Sequence, residues 1–260
     1  MAATMDAFPA LRRCALQQTQ TLRPAPRSLR HAQRQRNFWT SSSSSSSTSP
    51  SASSSSSSLS SEEKSQKPRY TLSQAQREYL SRALRVNQAG ELAATLIYEA
   101  QSPPVVRSHP HLRPLMKHMH DQEAGHLAAF NRLMATHRVR PTAMYPVWTL
   151  AASFLGWSTG VMGREAAMAC TEAVETEIGS HYNDQVREIL SWFADAERRG
   201  EEVDEELRDL LALLRRTRDE ELEHLDHAVE NDAKEARPYE PLVNVIRWGC
   251  RGAIWISERF

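Results

Sequence analysis

Asp219-Glu220-Glu221-Leu222-Glu223-His224-Leu225 repeats a frame already used at Asp121-Gln122-Glu123-Ala124-Gly125-His126-Leu127. Both read D-x-E-x-x-H-L. Residues three apart on an α-helix share a face. Glu123 with His126, and Glu221 with His224, therefore each direct one carboxylate and one imidazole the same way. Two such helices facing each other, with one more carboxylate from each of two further helices, supply the donor set of a di-iron or di-manganese four-helix bundle. A lone E-x-x-H is weak: with 23 Glu and 10 His in 260 residues, about one match arises by chance. The weight lies in the shared Asp and Leu and in the helical context of both copies. The plainer alternative is two solvated helix faces bearing Glu–His neighbours.

The surrounding chain supplies the other helices. Ser73 is a plausible N-cap for a helix running to about Gln101, with Leu80, Ala83, Leu84, Leu92, Leu96 and Ile97 at helical spacing and Pro103 and Pro104 expected to stop it. Glu91 sits mid-helix, with Glu99 as its competitor for a functional role. The first motif falls on a helix of about 112–138, where His118 and His120 read as surface residues. A third helix restarts at Arg164 and runs to about Phe193; it carries Glu172, Glu175 and Glu177, and spacing does not choose between Glu172 and Glu175. A solvated turn is expected over 195–206. The second motif follows on a helix of about 203–233, with His227 as a spectator. Segments 73–138 and 164–233 thus read as a duplicated helical hairpin, and no strand is expected. Asp121 and Asp219 are expected to hold a motif histidine through its outer nitrogen, as carboxylates behind metal-bound histidines often do.

Composition bounds the rest. Up to Ser61 the chain has seven Arg, no Lys and one acid, Asp6, and residues 41–61 are almost all Ser. Residues 1–68 read as a mitochondrial presequence and disordered linker, and 69–260, about 190 residues, as one domain with a substantial core. Without its Arg-rich leader this domain is mildly acidic, which argues against a nucleic-acid partner. Cys170 and Cys250 stand apart with no CxxC, and no G-x-G-x-x-G occurs, so neither a zinc–thiolate site nor a flavin or dinucleotide fold is indicated. The run 141–163 carries no charge and includes Trp148, Phe154 and Trp157. Pro146, three Gly and several Ser and Thr make it weakly hydrophobic, so it reads as a bundle helix whose outer face touches a membrane interface, against the alternative of a buried core helix. The last helix, 242–257, places Arg247 and Arg251 on one face beside Trp248 and Trp255. It suits an anionic membrane surface or, alternatively, caps the bundle.

The segments 85–101 (RVNQAGELAATLIYEAQ), 118–127 (HMHDQEAGHL), 169–188 (ACTEAVETEIGSHYNDQVRE), 218–227 (RDEELEHLDH) and 247–260 (RWGCRGAIWISERF) resemble the mitochondrial 5-demethoxyubiquinone hydroxylase family of ubiquinone biosynthesis, and the likeness spans 75–260. The resemblance implies an all-α, ferritin-like four-helix bundle with additional membrane-facing helices, peripheral on the matrix side of the mitochondrial inner membrane. It implies two Fe held by Glu91, Glu123, His126, Glu175, Glu221 and His224, with Glu123 and Glu221 bridging. It further implies O2 and a polyprenyl demethoxyquinone as substrates, NADH as electron donor, an aromatic near the quinone at Trp255, and a lipid-binding accessory protein and a quinone-synthesis complex as partners. The segment 193–205 looks longer than in the family. Tyr182, beside His181 on the Glu175 helix, is a candidate electron relay, its alternative a structural tyrosine. The competing functions are ferritin-like ferroxidase or iron storage, a di-iron quinol oxidase, and a non-catalytic membrane scaffold.

Overall fold

The computed structural model describes residues 68–260, so the expected presequence and serine linker lie outside the described residues. Six α-helices follow in order: α1 (Gln74–Ser108), α2 (Arg113–His137), α3 (Tyr145–Met162), α4 (Arg164–Arg199), α5 (Glu205–Glu230) and α6 (Tyr239–Ser257), with short 3-10 turns at Pro110–Leu112 and Ala233–Glu235. Among the described residues the only extended pairing is an isolated parallel bridge between Arg69 and Glu202. It docks the N-terminal stretch onto the α4–α5 loop, with Tyr70 N–H donating to the Glu202 carbonyl at 2.9 Å.

Helix ends follow local chemistry, with three departures from the sequence reading. Ser73 closes a capping box: its hydroxyl accepts from Gln76 N–H, and the Gln76 side chain accepts from Ser73 N–H. Pro103 and Pro104 do not stop α1, which continues to Ser108. A proline inside a helix costs about 3 kcal/mol, but this turn is covered by α3. Val105 and Val106 are buried, and Gln101 Nε2 donates to Thr159 Oγ1 at 3.0 Å. The approach is close because α3 presents glycine there: a Cβ on Gly156 would stand 2.4 Å from the Ile97 carbonyl oxygen, and one on Gly160 2.8 Å from Pro104 Cγ. The second departure is the turn expected over 195–206. Helix α4 runs on to Arg199, held by buried Trp192 and Ala196, and ends where Gly200 adopts φ 67°. Helix α6 starts at Tyr239, earlier than expected, because Pro241 lies in the first turn, where no backbone N–H is needed.

Helices α1, α2, α4 and α5 form the four-helix bundle, and α3 is its crossover. One apolar cluster holds Ile97, Tyr98, Met116, Met119, Ala173 and Ala228; the other holds Leu80, Leu84, Phe130, Tyr182, Ile189 and Leu214. Chain order across these clusters makes α1 antiparallel to α2 and α4 to α5, while α3 carries the chain back so that α2 and α4 run parallel. This is the single-crossover arrangement of ferritin-like bundles. Between the two clusters, at mid-height on all four helices, lies a layer of buried carboxylates and imidazoles. Helix α3 packs on α1 and α4, and α6 on α4 and α1.

Candidate metal centre

Each bundle helix contributes to this layer: Glu91 from α1, Glu123 and His126 from α2, Glu175 from α4, Glu221 and His224 from α5, and none is more than 5% exposed. Glu99 is exposed, and Glu172 points away to Lys234 and Tyr239, so the packing brings Glu91 and Glu175 to the centre and leaves their competitors outside. The donor atoms form two overlapping groups, Glu91/Glu123/His126/Glu221 and Glu123/Glu175/Glu221/His224, each with all its atoms within 4.8 Å of one another. Glu123 and Glu221 belong to both. His126 Nδ1 is 3.2 Å from Glu221 Oε1 and 3.8 Å from Glu123 Oε2, while His224 Nδ1 is 2.9 Å from Glu123 Oε1 and 3.2 Å from Glu221 Oε2. Each of these two carboxylates thus offers one oxygen to each imidazole.

None of these inward contacts is aligned as a hydrogen bond. Glu91 Oε2, Glu175 Oε2, both oxygens of Glu123 and Glu221, and Nδ1 of both histidines are buried without a hydrogen-bond partner. Buried charge without partners is costly unless compensated. Burial, then Glu221, pushes the Glu91 carboxyl above its usual range, and burial, then Glu221 and Glu123, pushes Glu175 well above it. Burial by itself lowers the two imidazoles, but the facing carboxylates outweigh it, raising His126 strongly and His224 to about 9. Four carboxylates and two neutral imidazoles balance two divalent cations in charge, and hard oxygen donors with imidazole suit iron or manganese. The donor set fits such a pair.

The outer nitrogens are held by residues that the sequence reading missed. His126 Nε2 meets Glu220 Oε2 at 2.5 Å, and His224 Nε2 meets Gln122 Oε1 at 3.0 Å. Asp121 instead pairs with Lys117, and Asp219 with Arg218, both on the surface. The correction is one of helix geometry: the residue just before Glu123 or Glu221 is turned toward the opposite helix, while the one before that faces solvent. His227 stays peripheral, 3.7 Å from Glu223 and Glu230. The phenol of Tyr182 donates to Glu91 Oε1, and that of Tyr98 to Glu175 Oε1 at 3.1 Å. Tyr98 was legible only as the residue that repeats, after Glu91, the spacing of Tyr182 after Glu175.

A cavity of about 340 Å³ lies between α1, α3, α4 and α6, and its link to the centre is Tyr182, which lines it and donates to Glu91. Its walls are almost wholly apolar, with Ile97, Trp148, Leu155, Ile178 and Ile254 among them. His181 also lines it, with a buried Nε2 that has no partner. Cys250 contributes to the wall, and burial pushes its thiol up to about 11. Val245 both lines the cavity and is 70% exposed, so the cavity meets the surface beside α6. Outside it, Val147, Leu150, Phe154, Trp157 and Val161 form one exposed apolar stripe along α3, which is therefore not a buried core helix. On α6, Trp248 is 71% and Trp255 55% exposed, while Arg247 and Arg251 turn back to Glu177. Among the described residues no helix is long and apolar enough to cross a membrane.

Comparison with known proteins shows the family. The family described as "COQ7: Ubiquinone biosynthesis protein COQ7" matches residues 78–257. The chain is 44% identical over 189 residues to the Saccharomyces cerevisiae protein named 5-demethoxyubiquinone hydroxylase, mitochondrial, covering 72% of this chain and 81% of that one. It is 42% identical to the human protein named NADPH-dependent 3-demethoxyubiquinone 3-hydroxylase, mitochondrial, covering 73% and 82%. It is 39% identical to the Rhodospirillum rubrum 3-demethoxyubiquinol 3-hydroxylase, covering 69% and 78%. With its buried Glu/His layer and crossover bundle, the chain belongs to the COQ7 family of ubiquinone biosynthesis proteins.

Proposed function

We propose that this protein is a mitochondrial di-iron monooxygenase that hydroxylates the ring of a polyprenyl demethoxyubiquinol. The observation that carries the reading is Tyr182, which lines an apolar cavity and donates to Glu91 of the carboxylate–imidazole layer. Glu91, Glu123, His126, Glu175, Glu221 and His224 would hold the two irons, and Glu123 and Glu221, which belong to both donor groups, would serve both. Bound iron supplies O2 activation, which the chain's own side chains cannot. The balance is one ring C–H, one O2, two electrons and two protons giving one C–OH and one water.

The protein's own residues do the placing. The cavity excludes water and takes the quinol ring, and His181 Nε2, unpartnered in its wall, faces a ring oxygen. Tyr182 stands between the cavity and Glu91 and is the candidate electron relay from the quinol toward the irons that Glu91 would help hold. The polyprenyl tail leaves past Val245 toward the apolar stripe of α3. That stripe and the tryptophans of α6 rest on the matrix side of the inner membrane, so the tail never has to leave the bilayer. Residues 1–68 serve as presequence and linker, and 69–260 as the hydroxylase domain. The electron donor is a reduced nicotinamide; NADH is the expectation from resemblance, and the human relative's name gives NADPH. A lipid-binding accessory protein and a quinone-synthesis complex are the partners the family implies.

The test supplies purified protein with ferrous iron, a short-tailed demethoxyquinone, NADH or NADPH, and air, and follows product mass. A gain of one oxygen, dependent on iron and lost in Glu221→Ala, is expected. Reductant and O2 consumption without oxygenated product would instead mark a quinol oxidase, and iron oxidation without quinone turnover a ferroxidase.

A further inference from the structure

Tyr98 and Tyr182 occupy equivalent places in the two halves. Each lies seven residues after a central glutamate, Glu91 on α1 and Glu175 on α4. Seven residues are close to two helical turns, so each tyrosine shares its glutamate's face about 10 Å along the axis. Because α1 and α4 run antiparallel, each tyrosine reaches the other helix's glutamate: Tyr98 donates to Glu175, and Tyr182 to Glu91. Both are 1% exposed.

The two environments differ. Tyr182 lines the cavity, and Tyr98 does not. The Tyr98 ring lies instead edge-on to His224, with centroids 5.9 Å apart and planes at 73°. Tyr98 therefore touches both residues found only in the second donor group, Glu175 and His224. Its hydrogen bond occupies Glu175 Oε1, and Oε2 is the oxygen left buried and unpartnered.

We propose that Tyr98 is a positioning residue for the metal sub-site of Glu175 and His224, the closed-side counterpart of Tyr182 at the cavity-side sub-site of Glu91 and His126. The phenol fixes which Glu175 oxygen faces the metal, and the ring fixes the plane of His224. The swapped pair gives each sub-site its own support, so that only the cavity-side support also meets substrate. This assignment rests on the two-metal reading above.

Anaerobic titration of the metal-free protein with Co2+, followed by its visible absorption, tests it. Wild type is expected to take two equivalents. Tyr98→Phe keeps the ring and removes only the hydroxyl; it is expected to bind one equivalent as wild type does and the other about tenfold more weakly or worse, as loss of a partner behind a metal ligand does. With iron, its kcat falls by a similar factor while KM for a short-tailed demethoxyquinone holds; Tyr182→Phe shifts KM as well. A merely packing tyrosine would leave the Co2+ isotherm and bands of Tyr98→Phe at wild type, which overturns the assignment. Should Tyr98→Phe misfold by circular dichroism, Tyr98→Met, which fills the site but has neither hydroxyl nor ring, is titrated instead, with unchanged Co2+ binding again the overturning result. Wild-type protein that takes up no Co2+ would overturn the two-metal reading and this assignment with it.

Discussion

Gln122 on α2 reaches across the bundle to His224 on α5, its Oε1 3.0 Å from the outer nitrogen Nε2. The reciprocal contact runs from Glu220 on α5 to His126 on α2. Each D-x-E-x-x-H motif thus orients the histidine of the other one through its second residue. Since Nδ1 of each histidine faces the carboxylates, the Nε2–H form is the one that Gln122 and Glu220 hold, and Nδ1 keeps its lone pair for a metal. The two partners differ, an amide on His224 and a carboxylate on His126, so the pseudo-symmetric halves are chemically unequal. Gln122→Ala and Glu220→Ala are each expected to weaken metal binding about 10- to 100-fold, read by calorimetric titration. Asp121→Ala and Asp219→Ala, at the exposed motif positions, are expected to leave it unchanged.

Helix α3 depends on two glycines for its depth. A methyl at Gly156 would meet the backbone of Ile97, which cannot swing away as a side chain can, and one at Gly160 would meet Pro104 and the Gln101 backbone. Gly156→Ala should lower stability by about 1–3 kcal/mol, as overpacking does. A methyl at Gly252 on α6 would meet nothing within 4 Å. Gly252→Ala should stabilise by about 0.5–1 kcal/mol through the helix preference for alanine. Thermal unfolding of the two variants checks the contrast; equal shifts would mean that α3 has room to back away from α1.

Helix α6 covers the cavity and is tied to α4 at Glu177. Arg247 Nε donates to Oε1 at 2.6 Å, Arg251 Nε to Oε2 at 2.8 Å and Arg251 Nη2 to Oε1 at 2.9 Å. Burial raises the Glu177 carboxyl, but Arg251 and Arg247 together carry it below its ordinary 4.5. A carboxylate lowered on folding contributes stability above its unfolded value and loses that contribution as pH falls through the folded one. The tie is therefore complete above about pH 4.5 and fails in more acid solution. The arginine side chains are 36% and 50% exposed, so solvent screening holds the contribution to about 1 kcal/mol. Glu177→Gln should raise amide exchange in α6 about fivefold at neutral pH, and the difference from wild type should shrink as pH drops below about 4. An unchanged α6 exchange rate would show that its apolar contacts suffice.

The repeated motif carried most of the bundle, because helix periodicity converts E-x-x-H directly into a shared face. The same periodicity could not choose Glu91 over Glu99 or Glu175 over Glu172, since both members of each pair sit on helices that pack on two sides. Burial separates the members of each pair: Glu99 is exposed, and Glu172 is taken by Lys234 and Tyr239, while Glu91 and Glu175 lie in the buried layer. Pro103 and Pro104 misled because their local cost is visible in sequence, whereas the α3 packing that offsets it is not. Gln122, Glu220 and Tyr98 were hidden for one common reason. Each acts on a residue of a different helix, so its role exists only once α1, α2, α4 and α5 have been assembled.

The exposed stripe of α3 is too continuous to be incidental. Val147, Leu150, Phe154, Trp157 and Val161 alternate at three- and four-residue spacing, and all are more than half exposed. The Trp248 and Trp255 rings of α6 are exposed as well, with Arg251 5.6 Å above the first and Arg259 4.1 Å above the second. Aromatic rings beside cations suit the headgroup layer, with aliphatic side chains reaching below it. Neither face contributes a metal donor, so the two properties should separate. The double variant Phe154→Glu, Trp157→Glu is expected to lose about tenfold or more in affinity for vesicles containing anionic lipid, measured by flotation, while taking up Co2+ as wild type does. It should keep turnover of a short-tailed demethoxyquinone in detergent and lose turnover of a long-tailed one presented in vesicles. Full vesicle binding by the variant would remove α3 from the membrane contact and leave α6 to account for it.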